Sequence, residues 1–168
     1  MEGSAERFGI EPWRDIFWAD QFYMTAHTHP SRALAILEAN AGALPVPGQP
    51  AFAGAWDALR PVLVGLLRLG ERARAAALYP LFLEMGQMGL VGDMVGLTEV
   101  GAGIAAAAAA RWEDAERHFE NGLGMANEQP HVPEQADVRY WHAWMLLERR
   151  AAGDVERARL LLAEAMPM

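Results

Sequence analysis

The chain has no cysteine and no lysine; all 14 of its basic residues are arginine. Without a thiol there is no disulfide framework, thiolate nucleophile or Cys-ligated zinc, and the absence leans toward a cytosolic compartment. Without a side-chain primary amine there is no Walker-A phosphate loop and no Schiff-base or pyridoxal-phosphate chemistry, because each needs a lysine in a fixed place. Serine is nearly missing: Ser4 falls in a predicted tail and Ser31 at a predicted helix start, so no Ser-His-Asp arrangement can be built. Positive charge is short as well, and a formal net charge of -8 opposes a phosphate backbone, which argues against a nucleic-acid partner. Long apolar runs are lacking. The least polar stretch, Val100 to Ala110, is too short to span a bilayer, and the acidic, polar start from Met1 to Arg7 is wrong for a signal peptide. The expectation is a cytoplasmic protein with no membrane partner and no cofactor.

What the chain does have is a rhythm. Ala33, Ala75, Ala115 and Ala158 recur at intervals of 42, 40 and 43 residues. Each is followed four residues later by a bulky apolar side chain, Leu37, Tyr79, Phe119 and Leu162. Five residues before each stands a small or turn-forming residue, Thr28, Gly70, Ala110 and Gly153. A small residue where helices touch, a large one a turn later and a turn just upstream describe the second helix of a helical hairpin, four times over. The 168 residues are read as one all-α domain, an α-α superhelix of about four hairpins, long enough to bury about 70% of the surface of the unfolded chain.

After a tail over residues 1–10, hairpin one is predicted over 12–41, with Pro12 and Pro30 suited to first helical positions. Its first helix is crowded with Trp13, Phe17, Trp18, Phe22 and Tyr23, too many for one buried stripe. Most of them are expected to pack under the loop from Gly42 to Pro50, which holds three prolines and two glycines. Hairpin two is predicted over 51–86, turning at Gly70. Pro61 and Pro80 each remove a backbone donor and crowd the preceding turn, so both arms should kink or split. Hairpin three, over 93–127, has Asp93 as its candidate cap and a first arm ending in six alanines, Ala105 to Ala110, against which a neighbour can approach closely. In its second arm Glu113 can pair with Arg117. Hairpin four is predicted over 134–166, with Arg149 and Arg150 near the negative end of its first helix and Asp154 capping its last.

The runs Ala110 to Glu120 and Gly153 to Ala165 resemble the second-helix signature of tetratricopeptide-like repeats. With Leu78-Tyr79-Pro80-Leu81 and Trp144 to Arg149, the region from Ala51 to Met166 looks like the C-terminal repeat region of large bacterial signalling ATPases, multidomain regulators that join a nucleotide-binding domain to a cyclase or DNA-binding domain. The resemblance implies a protein-binding or regulatory scaffold with no chemistry of its own, either a fragment of a regulator or a stand-alone relative. The departures are a period longer than the usual 34 residues, and Asn40 and Phe82 where a small residue is expected seven after the repeated alanine. In such a stack the first helices line the inner wall. Carried over by register, this selects Asp15, Trp18 and Phe22, then Asp57, Arg60 and Val64, then Leu97, Val100 and Ile104, then Tyr140, Ala143 and Leu147. The candidate partner-binding residues are Trp18, Phe22, Asp57, Arg60 and Tyr140.

Chemical sites are few. His27 and His29 have a spacing that suits a metal on a strand, but at a helix C-terminus they fit the dipole instead, and no metal is expected. Asp114 and His118 share a helix face, as a surface ion pair or, less simply, as an oriented base. No catalytic constellation emerges, and the chain is read as no enzyme. Its expected partner is a protein, a peptide or, through an uncovered last helix, a second copy. The alternative reading is a small-molecule effector sensor with a pocket between helical hairpins.

Overall fold

The computed structural model describes residues 14–93, 96–128 and 132–166. The predicted tail, Pro12 and Trp13 lie outside the described residues. Those described are helical except for loops and one short two-stranded ribbon, so the chain is all-α. It divides into two compact units, one ending at Glu84 and the other beginning at Met85.

The first unit opens with α1 (Arg14–Thr28) and α2 (Pro30–Asn40), the latter starting on its proline as that residue's fixed φ favours. After a 3-10 turn and the proline-rich loop come α3 (Ala53–Asp57), α4 (Leu59–Arg68) and α5 (Arg72–Ala76). The boundary between units falls within α6 (Tyr79–Gln87). Both predicted arms are split in the turn before their proline. Pro61 has no N–H for the Asp57 carbonyl and the helix breaks at Ala58; Pro80 has none for Ala76 and the break is at Ala77 and Leu78. Every residue from Leu59 to Leu66 is buried, which makes α4 the centre of this unit. α1 packs against both α2 and α4. At that crossing Gly65 leaves the space that the Phe22 ring fills, since a Cβ at Gly65 would stand 2.4 Å from Phe22 Cε1.

After the end of α6 the second unit continues with strands β1 (Gly92–Asp93) and β2 (Gly96–Leu97), paired antiparallel. The next helix therefore does not start at Asp93. That helix, α7 (Thr98–Ala108), starts five residues later, where the Thr98 N–H and hydroxyl donate to the carbonyls of Val91 and Leu90. It pairs with α8 (Trp112–Glu128) as close as its composition allows: the Phe119 ring sits where a Cβ on Gly103 would come within 2.9 Å. α9 (Val132–Arg149) packs on α7 and α8, and α10 (Asp154–Ala165) on α9.

Ala33, Ala75, Ala115 and Ala158 are all buried, one each in α2, α5, α8 and α10. Three of the residues five before them take positive φ, Gly70 at 77°, Ala110 at 56° and Gly153 at 85°. Gly70 and Ala110 end their helices in the same way. In each case its own N–H and that of the next residue bond back to carbonyls of the last turn, so orphan acceptors are satisfied.

Candidate functional site: a charge-locked hairpin and its outer face

The densest polar cluster among the described residues ties together α8, α9 and α10. Arg149, at the end of α9, grips Asp154 with two bonds, Nε to Oδ2 at 2.9 Å and Nη2 to Oδ1 at 2.7 Å. Its remaining nitrogen, Nη1, donates to Glu116 of α8 at 2.6 Å. Arg157 of α10 takes the other Glu116 oxygen at 2.5 Å. Asp154 also accepts the Ala151 N–H, so it closes the α9–α10 turn from within. The helix cap is Gly153, not Asp154 as the sequence suggested.

The arginines fix the charge states. Hydrogen bonds from Arg149, with its charge, hold the Asp154 carboxyl below the usual range despite burial. Burial pushes Glu116 up, but the bonds from Arg149 and Arg157 outweigh it and leave it lowered. Arg149 is raised by the same partners, Asp154 first. Beside them His142 of α9 is buried and stacked on Phe119, with ring centroids 5.4 Å apart and planes at 15°. Desolvation holds its pKa down to about 4, so at neutral pH it is an uncharged ring.

A second polar pair replaces an expected one. His118 turns inward and its Nδ1 meets Glu99 of α7 at 2.7 Å, while Asp114 pairs with Arg111 and Arg117. Asp114, His118 and Arg117 thus each have a partner other than the one expected from spacing. The hydrogen bond from His118 lowers the Glu99 carboxyl. His27 lies in the last turn of α1, and His29 bonds the neighbouring Thr28 hydroxyl at 2.8 Å. No cluster of metal-ligating side chains occurs among the described residues.

Of the five candidate contact residues, Trp18, Phe22, Asp57 and Arg60 belong to the first unit and Tyr140 to the second. Trp18, Phe22 and Arg60 are buried, and Phe22 is spent on Gly65. Asp57 is half-buried, and desolvation raises its carboxyl. Tyr140 alone of the five is open, at 52% exposure. The register that chose them assumes first helices with one bare side, whereas α4 and α7 are buried along most of their length.

Tyr140 instead belongs to an outer face of the last hairpin. His142 marks the side of α9 that faces α8; two and five residues away, Tyr140 and Leu147 stand about 140–160° round the helix. Arg157 marks the corresponding side of α10, and two and five residues away are Val155 and Leu162. Tyr140, Leu147 and Val155 are exposed at 52%, 44% and 59%, and Leu162 is half-buried. Tyr140, Trp141 and Trp144 pack edge to face in series, with centroids 5.2 and 5.5 Å apart. The sequence pointed to Tyr140 but not to the cluster behind it. The signal for that cluster was the period itself, since Glu116 and Arg157 flank equivalent alanines.

In the first unit a cavity of about 310 Å³ lies in the loop between the first two hairpins, between Leu44, Gln49 and Phe52. No family model matches the chain, and no curated protein or solved structure is detectably similar to it.

Proposed function

We propose that this protein is a non-enzymatic scaffold built on tetratricopeptide-like hairpins, which docks a protein or peptide partner through its last hairpin. The observation that carries this reading is the outer face of α9 and α10, where Tyr140, Leu147 and Val155 expose apolar surface backed by a locked charge cluster. A rigid helical pair with aromatic and aliphatic anchors on one side suits an amphipathic helix or an extended peptide, because aromatic residues contribute most where they can be desolvated. No described helix is long and apolar enough to cross a membrane. A regulatory, cytoplasmic role belongs to the same proposal and follows from the resemblance to repeat regions of signalling regulators.

Selection of a displayed peptide library against the purified protein tests it. Enriched peptides are expected to bind wild type and to lose at least tenfold in affinity to a Y140A/L147A double variant whose helical circular dichroism is unchanged. Equal binding to both proteins would remove this face from consideration. The effector-sensor reading has the loop cavity in its favour, and a metabolite that raises the melting temperature would support it.

A further inference from the structure

The imidazole of His142 is only 5% exposed, and its Nε2 is buried with no hydrogen-bond partner. One face of the ring lies against Phe119 of α8. The charged groups around it come from three helices: Glu116 from α8, Arg149 from α9 itself, and Asp154 and Arg157 from α10. Of the remaining neighbours, α7 has one titratable side chain, Glu99, which is taken by His118, and β2 has none. The two carboxylates and two guanidiniums of the cluster already satisfy one another. A third cation arriving there has no hydrogen-bond partner at its buried Nε2, and the carboxylates nearest it are already neutralised by two guanidiniums. Burying a charge without a partner costs far more than burying the neutral ring, so the proton has to be refused or the ring has to reach water.

We propose that His142 is an acid-operated release for the seam between α8 and α9: when its ring takes up a proton, α9 parts from Phe119 and carries the ring to solvent. The release acts on that seam, where the Arg149–Glu116 bond has to part with it, and not on the turn between α9 and α10. Arg149 and Asp154 hold that turn together with carboxylate chemistry that survives to lower pH than the ring's refusal does. What opens is the inner side of the last hairpin, including the buried Met145 and Val138. Mild acid would thereby offer apolar surface that neutral pH conceals.

Amide hydrogen exchange on the intact protein at pH 7 and pH 5, corrected for the intrinsic pH dependence of exchange, tests this. The opening constant of the facing amides of α8 and α9 is expected to rise about 20-fold, the ratio for a ring that titrates near 4 when closed and near 6.5 when open. The rise should vanish in H142F, which keeps the stack on Phe119 and cannot be protonated. An unchanged seam in wild type, or the same rise in H142F, would overturn the proposal. So would an equal rise at the amides of the α9–α10 turn. Should H142F fail to fold, the NMR titration of the His142 ring in wild type decides: a midpoint below about 5.5 supports the release, and a higher one overturns it.

Discussion

Gly65 is where a single missing carbon matters most. Its place on α4 is filled by the Phe22 ring, and a methyl group there would come within 2.4 Å of Cε1, 2.9 Å of Cδ1 and 3.0 Å of Cζ. The ring is fully buried and cannot swing aside without opening the α1–α4 crossing. Gly65→Ala is therefore expected to destabilise the fold by about 1–3 kcal/mol, the usual cost of overpacking, although alanine is the better helix former. Gly42→Ala, with open space around it, should stay within about 0.5 kcal/mol of wild type. Urea titrations of the two variants measure the difference, and equal midpoints would mean that Phe22 repacks freely. Glycine and alanine were also the most legible residues in the sequence. The four periodic alanines are buried, and Phe119 fills the gap that Gly103 leaves on α7. What could not be read was which aromatic would use which gap, because that depends on a contact partner in another helix.

Among the helices, the strongest single fastening is the turn between α9 and α10. Asp154 is almost completely enclosed and accepts from Arg149 twice and from the Ala151 N–H. Removing one partner of a buried ion pair strands the other, so Asp154→Ala is expected to cost about 3 kcal/mol and to loosen α10 first. Glu38→Ala breaks an ion pair of similar length with Arg74, but on an exposed carboxylate, and should cost under about 1 kcal/mol. Thermal melts of both variants at neutral pH check the contrast. Helix positions and the proline breaks followed from sequence, because periodicity and a missing N–H act locally. The roles of Asp154 and His118 did not, since a cap or a same-face pair is the local solution and each residue found a better partner elsewhere. The β1–β2 ribbon escaped for a related reason: Gly96 takes a φ of 137°, and Thr98 finds carbonyls to start its helix later than Asp93 would. Of the residues chosen by register, Trp18, Phe22 and Arg60 are buried and Tyr140 is exposed, because a register assigns faces only when every first helix has the same bare side.

Across the whole molecule, acid acts in opposite senses on the two units. In the second, His142 has a folded pKa of about 4 against an ordinary 6.5. Its contribution is fully present above pH 6.5 and is lost as the pH falls toward 4, to a limit of about 3 kcal/mol. Glu99, Glu116 and Asp154 are all lowered, so they add stability that persists above their ordinary values and fades as the pH drops through the folded ones. Both contributions weaken the second unit in acid, the histidine first. In the first unit Asp20 and Asp57 are raised by desolvation, which makes their ionised forms a burden at neutral pH that protonation relieves. Exchange mapped by mass spectrometry at pH 7 and pH 4.5 should therefore show protection falling first along the facing sides of α8 and α9, while the α9–α10 turn keeps more of its protection and α1 to α5 hold or gain. A uniform loss in both units would mean that general charge repulsion, and not these particular groups, governs the acid response.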